Sequence, residues 1–278
     1  MGMKHTLLAR GSLVIIYFLA GLATMFLARL SLAWATAELW IWLKILHYII
    51  LVIVAGGVLV SVIRRATNRV WWEGLLHAAL LFGAWYTLAV MPWPFFVAVM
   101  SAIGLTLIFF WLHTIFVHNL FYILGAVGLA LNLASYLPFE AALAGLVAFA
   151  VYDMVCGRST ETHLRLTRLL SPYGLAPGFI LPHRFKDWFS KISPVSAPAL
   201  TLGLSELVLP LVLIVKSANW NSWAPAIVVS GLTLGAVVYG WRRNFSERFV
   251  LAYVSAGVAI SFLVLYLAQI QFFNHLLP

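Results

Sequence analysis

Residues 198–215 read PALTLGLSELVLPLVLIV, an apolar run broken by a single acid, Glu206. A second run, FEAALAGLVAFAVYDMVCG at 139–157, carries Asp153 in equally apolar surroundings. Both runs are close to the length of about 20 residues that a membrane-crossing helix needs. On insertion scales an acid deep in such a helix costs roughly 2.5–3.5 kcal/mol, so two of them imply a site rather than ordinary packing.

Composition agrees with a membrane setting. Of 278 residues, 64% are apolar and 9% charged, and long stretches carry no charge at all. That places the chain among integral membrane proteins and leaves room for about eight to ten spans in one domain. The net charge of +9 is distributed as a topology signal and suits anionic lipid headgroups, with no nucleic-acid partner expected. Cys156 is the sole cysteine, so neither an intramolecular disulfide nor a thiolate metal cluster can form.

Taken in order, the chain reads as an all-α membrane protein with nine spans, at 12–28, 45–63, 75–91, 95–112, 120–137, 139–157, 198–215, 223–241 and 249–273. Lys4 and Arg10 precede the first, and Ala35-Thr36-Ala37 after it looks like a signal-peptidase site, yet the run is long and followed by Arg29, which favours a retained span. His113 and His118, five apart, share no helical face and read as interfacial rather than metal-binding. The longest polar stretch, 158–197, holds six of the seventeen basic residues; its segment 174–182 is apolar but too short to cross.

With the N-terminus inside, fourteen Lys and Arg fall on the cytoplasmic side and three, Arg29, Lys44 and Lys216, outside. Miscounting any interior span would scramble that bias. The C-terminus is then outside, and the 158–197 loop is cytoplasmic. Short loops suggest a prokaryotic cytoplasmic membrane.

Both acids then fall in the cytoplasmic half of adjacent spans. Ala141, Gly145 and Ala148 form one small-residue stripe leading to Tyr152, and Ala199 and Gly203 another leading to Glu206; such stripes let helices approach closely in lipid. Pro210 lies four residues after Glu206 and removes the helical donor to that residue's carbonyl. Two carboxyls in hydrogen-bonding reach share a proton, one serving as general base on water and the other as general acid, with no metal or cofactor. The competing readings are a structural acid pair, Asp153 reaching toward Arg158, and an acid relay for proton or cation transport.

These features resemble the presenilin and signal peptide peptidase family of intramembrane aspartyl proteases, its shorter prokaryotic members in particular. The resemblance covers the nine-span layout. Its specific part is Val151-Tyr152-Asp153, where the family has YD, and Gly203-Leu204-Ser205-Glu206, where the family has GxGD. The connection ending in Phe179-Ile180-Leu181-Pro182 is also similar. The resemblance implies a presenilin-like fold, an Asp153–Glu206 dyad supported by Tyr152, Gly203, Ser205 and Pro210, and transmembrane helices of other membrane proteins as substrates. Ser205 stands for the motif's second glycine and Glu206 for its aspartate. The family's PAL motif is missing from the start of the last span, where Tyr253, Ser255 and Gly257 take its place as candidates for positioning substrate; Pro198-Ala199-Leu200 lies elsewhere. A homologue that binds transmembrane helices without cleaving them is the alternative these departures favour.

Overall fold

The computed structural model describes residues 2–34, 69–91, 93–112, 114–156, 178–182, 184–192, 200–218, 223–240 and 250–276. The span expected at 45–63 and the sequence between 158 and 177 lie outside the described residues, as do the side chains of Tyr152, Asp153 and Ser205. The described chain is predominantly helical: α1 (Gly2–Trp34), α2 (Arg69–Val90), α3 (Phe95–Trp111), α4 (Ile115–Tyr136), α5 (Phe139–Cys156), α6 (Leu204–Ser217), α7 (Ala224–Gly240) and α8 (Val250–Leu276). Between α5 and α6 come strand β1 (Phe179–Leu181), a 3-10 turn (Phe185–Phe189) and strand β2 (Leu200–Leu202). Among the described residues three helices contain segments long and apolar enough to cross a membrane, at Gly11–Ala28, Ile115–Tyr136 and Val250–Leu267, and α2, α3, α5 and α7 supply shorter apolar ones. This is consistent with a membrane protein.

α6 is the axle of the bundle. It packs against α1, α4, α5, α7 and α8, and its residues Leu211, Val212, Leu213 and Ile214 are all buried. A helix apolar on every side is stable only when neighbours cover every side. α1 belongs to this core, burying Leu13, Tyr17, Ala20 and Leu27 on one face at helical spacing.

Two helix pairs touch backbone to backbone. On α2 and α4, Gly83, Gly125 and Gly128 face one another, and a Cβ on Gly128 would overlap the Gly83 carbonyl. On α7 and α8, Gly231 and Gly257 do the same, with the Ser261 hydroxyl donating across to the Ile227 carbonyl at 3.0 Å. Without a hydrophobic force between helices in lipid, contacts of this kind hold a bundle together.

Of the stripe expected on α5, Ala141 and Ala148 are exposed, and α5 instead buries Ala142, Leu146 and Ala150. Gly145 does face α6, where an added Cβ would sit at van der Waals distance, 3.9 Å, from Leu209. Ala199 lies outside the described residues, and Gly203 precedes its helix rather than lining it. Ala141 and Ala148 have the spacing of a packing stripe, but the face of α5 that its neighbours cover is the one carrying Ala142, Leu146 and Ala150.

The expected span at 198–215 also begins differently. Residues 200–202 form β2, and the helix starts at Leu204. Thr201 with Gly203 behind it favours extended backbone, and β1 supplies a partner, in the register Phe179↔Leu202, Ile180↔Thr201, Leu181↔Leu200. The apolar segment too short to cross a membrane thus holds, at Phe179–Leu181, a buried strand against α4. The expected 120–137 span starts earlier, at Ile115, because the Thr114 hydroxyl accepts from the Val117 N–H and caps the helix.

Candidate functional site

The first turn of α6 carries Glu206, which is 1% exposed. Its carboxylate folds back to accept the Gly203 N–H at 2.6 Å, the side-chain half of a capping box. Sequence reading places this acid inside a helix; the structure places it where the helix begins, at the end that favours negative charge. Leu204, Ser205 and Glu206 are the first three residues of that turn, and Gly203 is its extended N-cap.

Pro210 acts as its position requires. It cannot donate to the Glu206 carbonyl, and the Tyr17 hydroxyl of α1 donates there instead, at 3.0 Å. Tyr17 is wholly buried. A hydrogen bond thereby joins the first helix to the turn that holds the acid, across 189 residues of sequence.

The strand before this turn is held from the other side by α4. Asn119 presents its amide to β1 as a neighbouring strand would, its Oδ1 accepting the Ile180 N–H at 2.8 Å and its Nδ2 donating to the Ile180 carbonyl at 2.5 Å. His118 Nε2 lies 3.0 Å from the Gly178 carbonyl. Both residues are buried, His118 at 2% exposure and stacked near Phe109. The interfacial placement of His118 read from sequence is therefore corrected: it is an internal strut; His113 lies outside the described residues. Because antiparallel strands alternate which residues face the partner, Ile180 turning to Asn119 leaves Phe179 and Leu181 to bond β2, and Thr201 to present its backbone N–H and C=O on the outer edge of β2. Among the described residues no third strand pairs there.

Asp153 lies in the last turn of α5, a direct neighbour of α6. At about 100° per residue, position 153 lies about 60° round the helix from buried Ala150 and about 40° from exposed Phe149. Tyr152 falls about 100° away from it.

The three positions proposed on the last helix part company. Gly257 is a backbone contact with α7, and the Tyr253 carbonyl meets Gly235 on the same side. The Tyr253 ring also lies tilted against Tyr239 of α7, with centroids 5.8 Å apart. Ser255 points elsewhere, buried at 9% exposure with no hydrogen-bond partner for its hydroxyl among the described residues. Gly257 is accounted for by packing alone.

Comparison with protein-family models, curated proteins and solved structures returns no match. The site must be read from its own geometry: a buried carboxylate at a helix N-terminus, a backbone kept extended just before it, and a second acid on the adjoining helix. Tyr17, His118 and Asn119 are the members that sequence reading missed. The polar pair His118-Asn119 at the start of an otherwise apolar run was the available signal, since buried polar side chains require partners.

Proposed function

We propose that this chain is an intramembrane aspartic-type endopeptidase with Asp153 and Glu206 as its dyad, in a nine-span, presenilin-like arrangement with a cytoplasmic N-terminus. The observation that carries the reading is the burial of the Glu206 carboxyl in a helix turn that packs on the Asp153 helix. The fourteen-to-three distribution of Lys and Arg supports the orientation.

Consecutive spans run antiparallel, which allows the offset between the acids to be worked out from Gly145 facing Leu209. Position 153 lies ~12 Å from Gly145 along α5, and Glu206 lies ~4.5 Å from Leu209 in the same direction, an axial offset of ~7.5 Å. Folding back to Gly203 moves the Glu206 carboxyl up to ~4.5 Å toward Asp153, leaving ~3 Å. The longer side chain thus suits a helix that begins late.

In the proposed reaction Glu206, held at a helix N-terminus and accepting a backbone N–H, is the ionised partner. It takes a proton from water as the water oxygen bonds to the scissile carbonyl carbon, and Asp153 gives its proton to the carbonyl oxygen. The resulting diol collapses as Glu206 gives its proton to the amide nitrogen, Asp153 takes one back from a diol hydroxyl, and the C–N bond breaks to leave a carboxyl and an amine. A helical substrate must unwind to expose that bond, and the outer edge of β2 offers an extended segment a donor and an acceptor at Thr201.

The bond from Glu206 to Gly203 also favours a second reading, a helix-binding homologue in which the acid only starts α6. Proteoliposomes holding the full chain and a test transmembrane substrate separate the two. The proposal expects wild type to cleave, Asp153→Asn and Glu206→Gln to be inactive, and Glu206→Asp to be slower by about 100-fold, the cost of ~1 Å of misplacement. Ser205→Gly together with Glu206→Asp should recover rate. Substrate binding without cleavage by any variant establishes the second reading.

A further inference from the structure

Beside β1, and touching Asn119 and Phe179, α1, α4 and the 3-10 turn line a groove of about 550 Å³. Its walls are apolar, with Ile15 and Leu19 from α1 and Leu120 and Ile123 from α4, and its end is formed by Phe185 and Trp188 of the turn. Size argues about the occupant. A transmembrane helix about 10 Å across and 30 Å long displaces roughly 2,400 Å³, several times this space. A single flexible apolar chain is the better fit.

Charge at the same end indicates what that chain is attached to. The turn and its flanks carry Arg184, Lys186 and Lys191 against Asp187, and all three cations are exposed. Phe185 and Phe189, 70% and 63% exposed, sit among them. Aromatic and basic side chains interleaved on one short segment belong at the headgroup level of a leaflet, with the aromatic rings in the interface and the cations on phosphate. We propose that this groove binds one anionic phospholipid, an acyl chain lying between Ile15 and Leu120 and the headgroup meeting Arg184 and Lys186.

The inference rests on the membrane placement of the chain and not on its being a protease. Nanodiscs of equimolar phosphatidylcholine and phosphatidylglycerol, with brominated acyl chains on one lipid or the other, test it through tryptophan quenching. The chain has 12 tryptophans, so the signal is the difference between wild type and Trp188→Phe. Brominated phosphatidylglycerol should quench Trp188 more than brominated phosphatidylcholine does. Arg184→Gln and Lys186→Gln should each lower that preference about fivefold, the effect of one basic residue near a membrane surface, while Arg184→Lys keeps it. Leu19→Phe with Leu120→Phe, which fills the groove, should abolish Trp188 quenching by both lipids. Equal quenching by the two lipids, or a preference indifferent to the loss of both cations, overturns the lipid site. Loss of Trp188 quenching on adding one equivalent of a transmembrane peptide assigns the groove to a helix and overturns it as well. A chain that does not enter the discs overturns the membrane placement with it.

Discussion

Tyr17→Phe isolates the contact between α1 and the Glu206 turn, because it removes one hydroxyl and little volume. The hydroxyl donates at 3.0 Å to the Glu206 carbonyl, which Pro210 deprives of its helical donor. Removing a donor from a buried carbonyl costs about 1–3 kcal/mol. If that account is right, the cost depends on Pro210. In a Pro210→Ala background the Ala N–H can donate to the same carbonyl, and Tyr17→Phe should then cost under about 1 kcal/mol. The double-mutant cycle should therefore give a coupling of about 1.5 kcal/mol from the middle of those ranges, above the ~0.5 kcal/mol within which independent sites add. Reversible unfolding in mixed micelles, by titration with a denaturing detergent, measures all four variants. Additive losses would refute the reasoning, since Tyr17 and Pro210 would then act on α6 separately.

Two further outcomes follow from the same geometry. Asn119→Leu should unfasten β1 from α4, costing about 1–3 kcal/mol through the two bonds to Ile180; hydrogen exchange at 179–181 should quicken while exchange in α7 is unchanged. Gly257→Ala should weaken the α7–α8 contact by about 1–3 kcal/mol because its Cβ overlaps the Gly231 carbonyl, whereas Gly145→Ala, whose Cβ would meet Leu209 at an ordinary 3.9 Å, should be within about 0.5 kcal/mol of wild type.

Much of the helical layout was legible because hydropathy and prolines mark it directly. Pro138 before Phe139, Pro94 before Phe95 and the charge beyond Gly240 bounded helices to within a residue or two. The consequence of Pro210 was legible too, since a missing N–H is a property of the residue and not of its surroundings. What could not be read depended on contacts distant in sequence. β1 and β2 each have three residues and look like pieces of longer apolar runs until they are seen paired. Which small residues meet is decided by the neighbouring helix, so Gly231 and Gly257 carry the close contact while Ala141 and Ala148 face outward. Glu206 was recognised as the exceptional residue, but its use of Gly203 as a partner required knowing that the helix starts at Leu204.

The central claim is that Asp153 and Glu206 belong to one site. Cysteines at 153 and 206, in a Cys156→Ser background, report on it directly when treated with a thiol-specific linker a few ångströms longer than a direct disulfide, which requires Cα atoms within about 7 Å. The account predicts rapid intramolecular cross-linking in the membrane, and none when the first cysteine is moved to position 151, whose Val is exposed about 160° round α5 from 153. Cross-linking at 151 and 206 with none at 153 and 206 would contradict it.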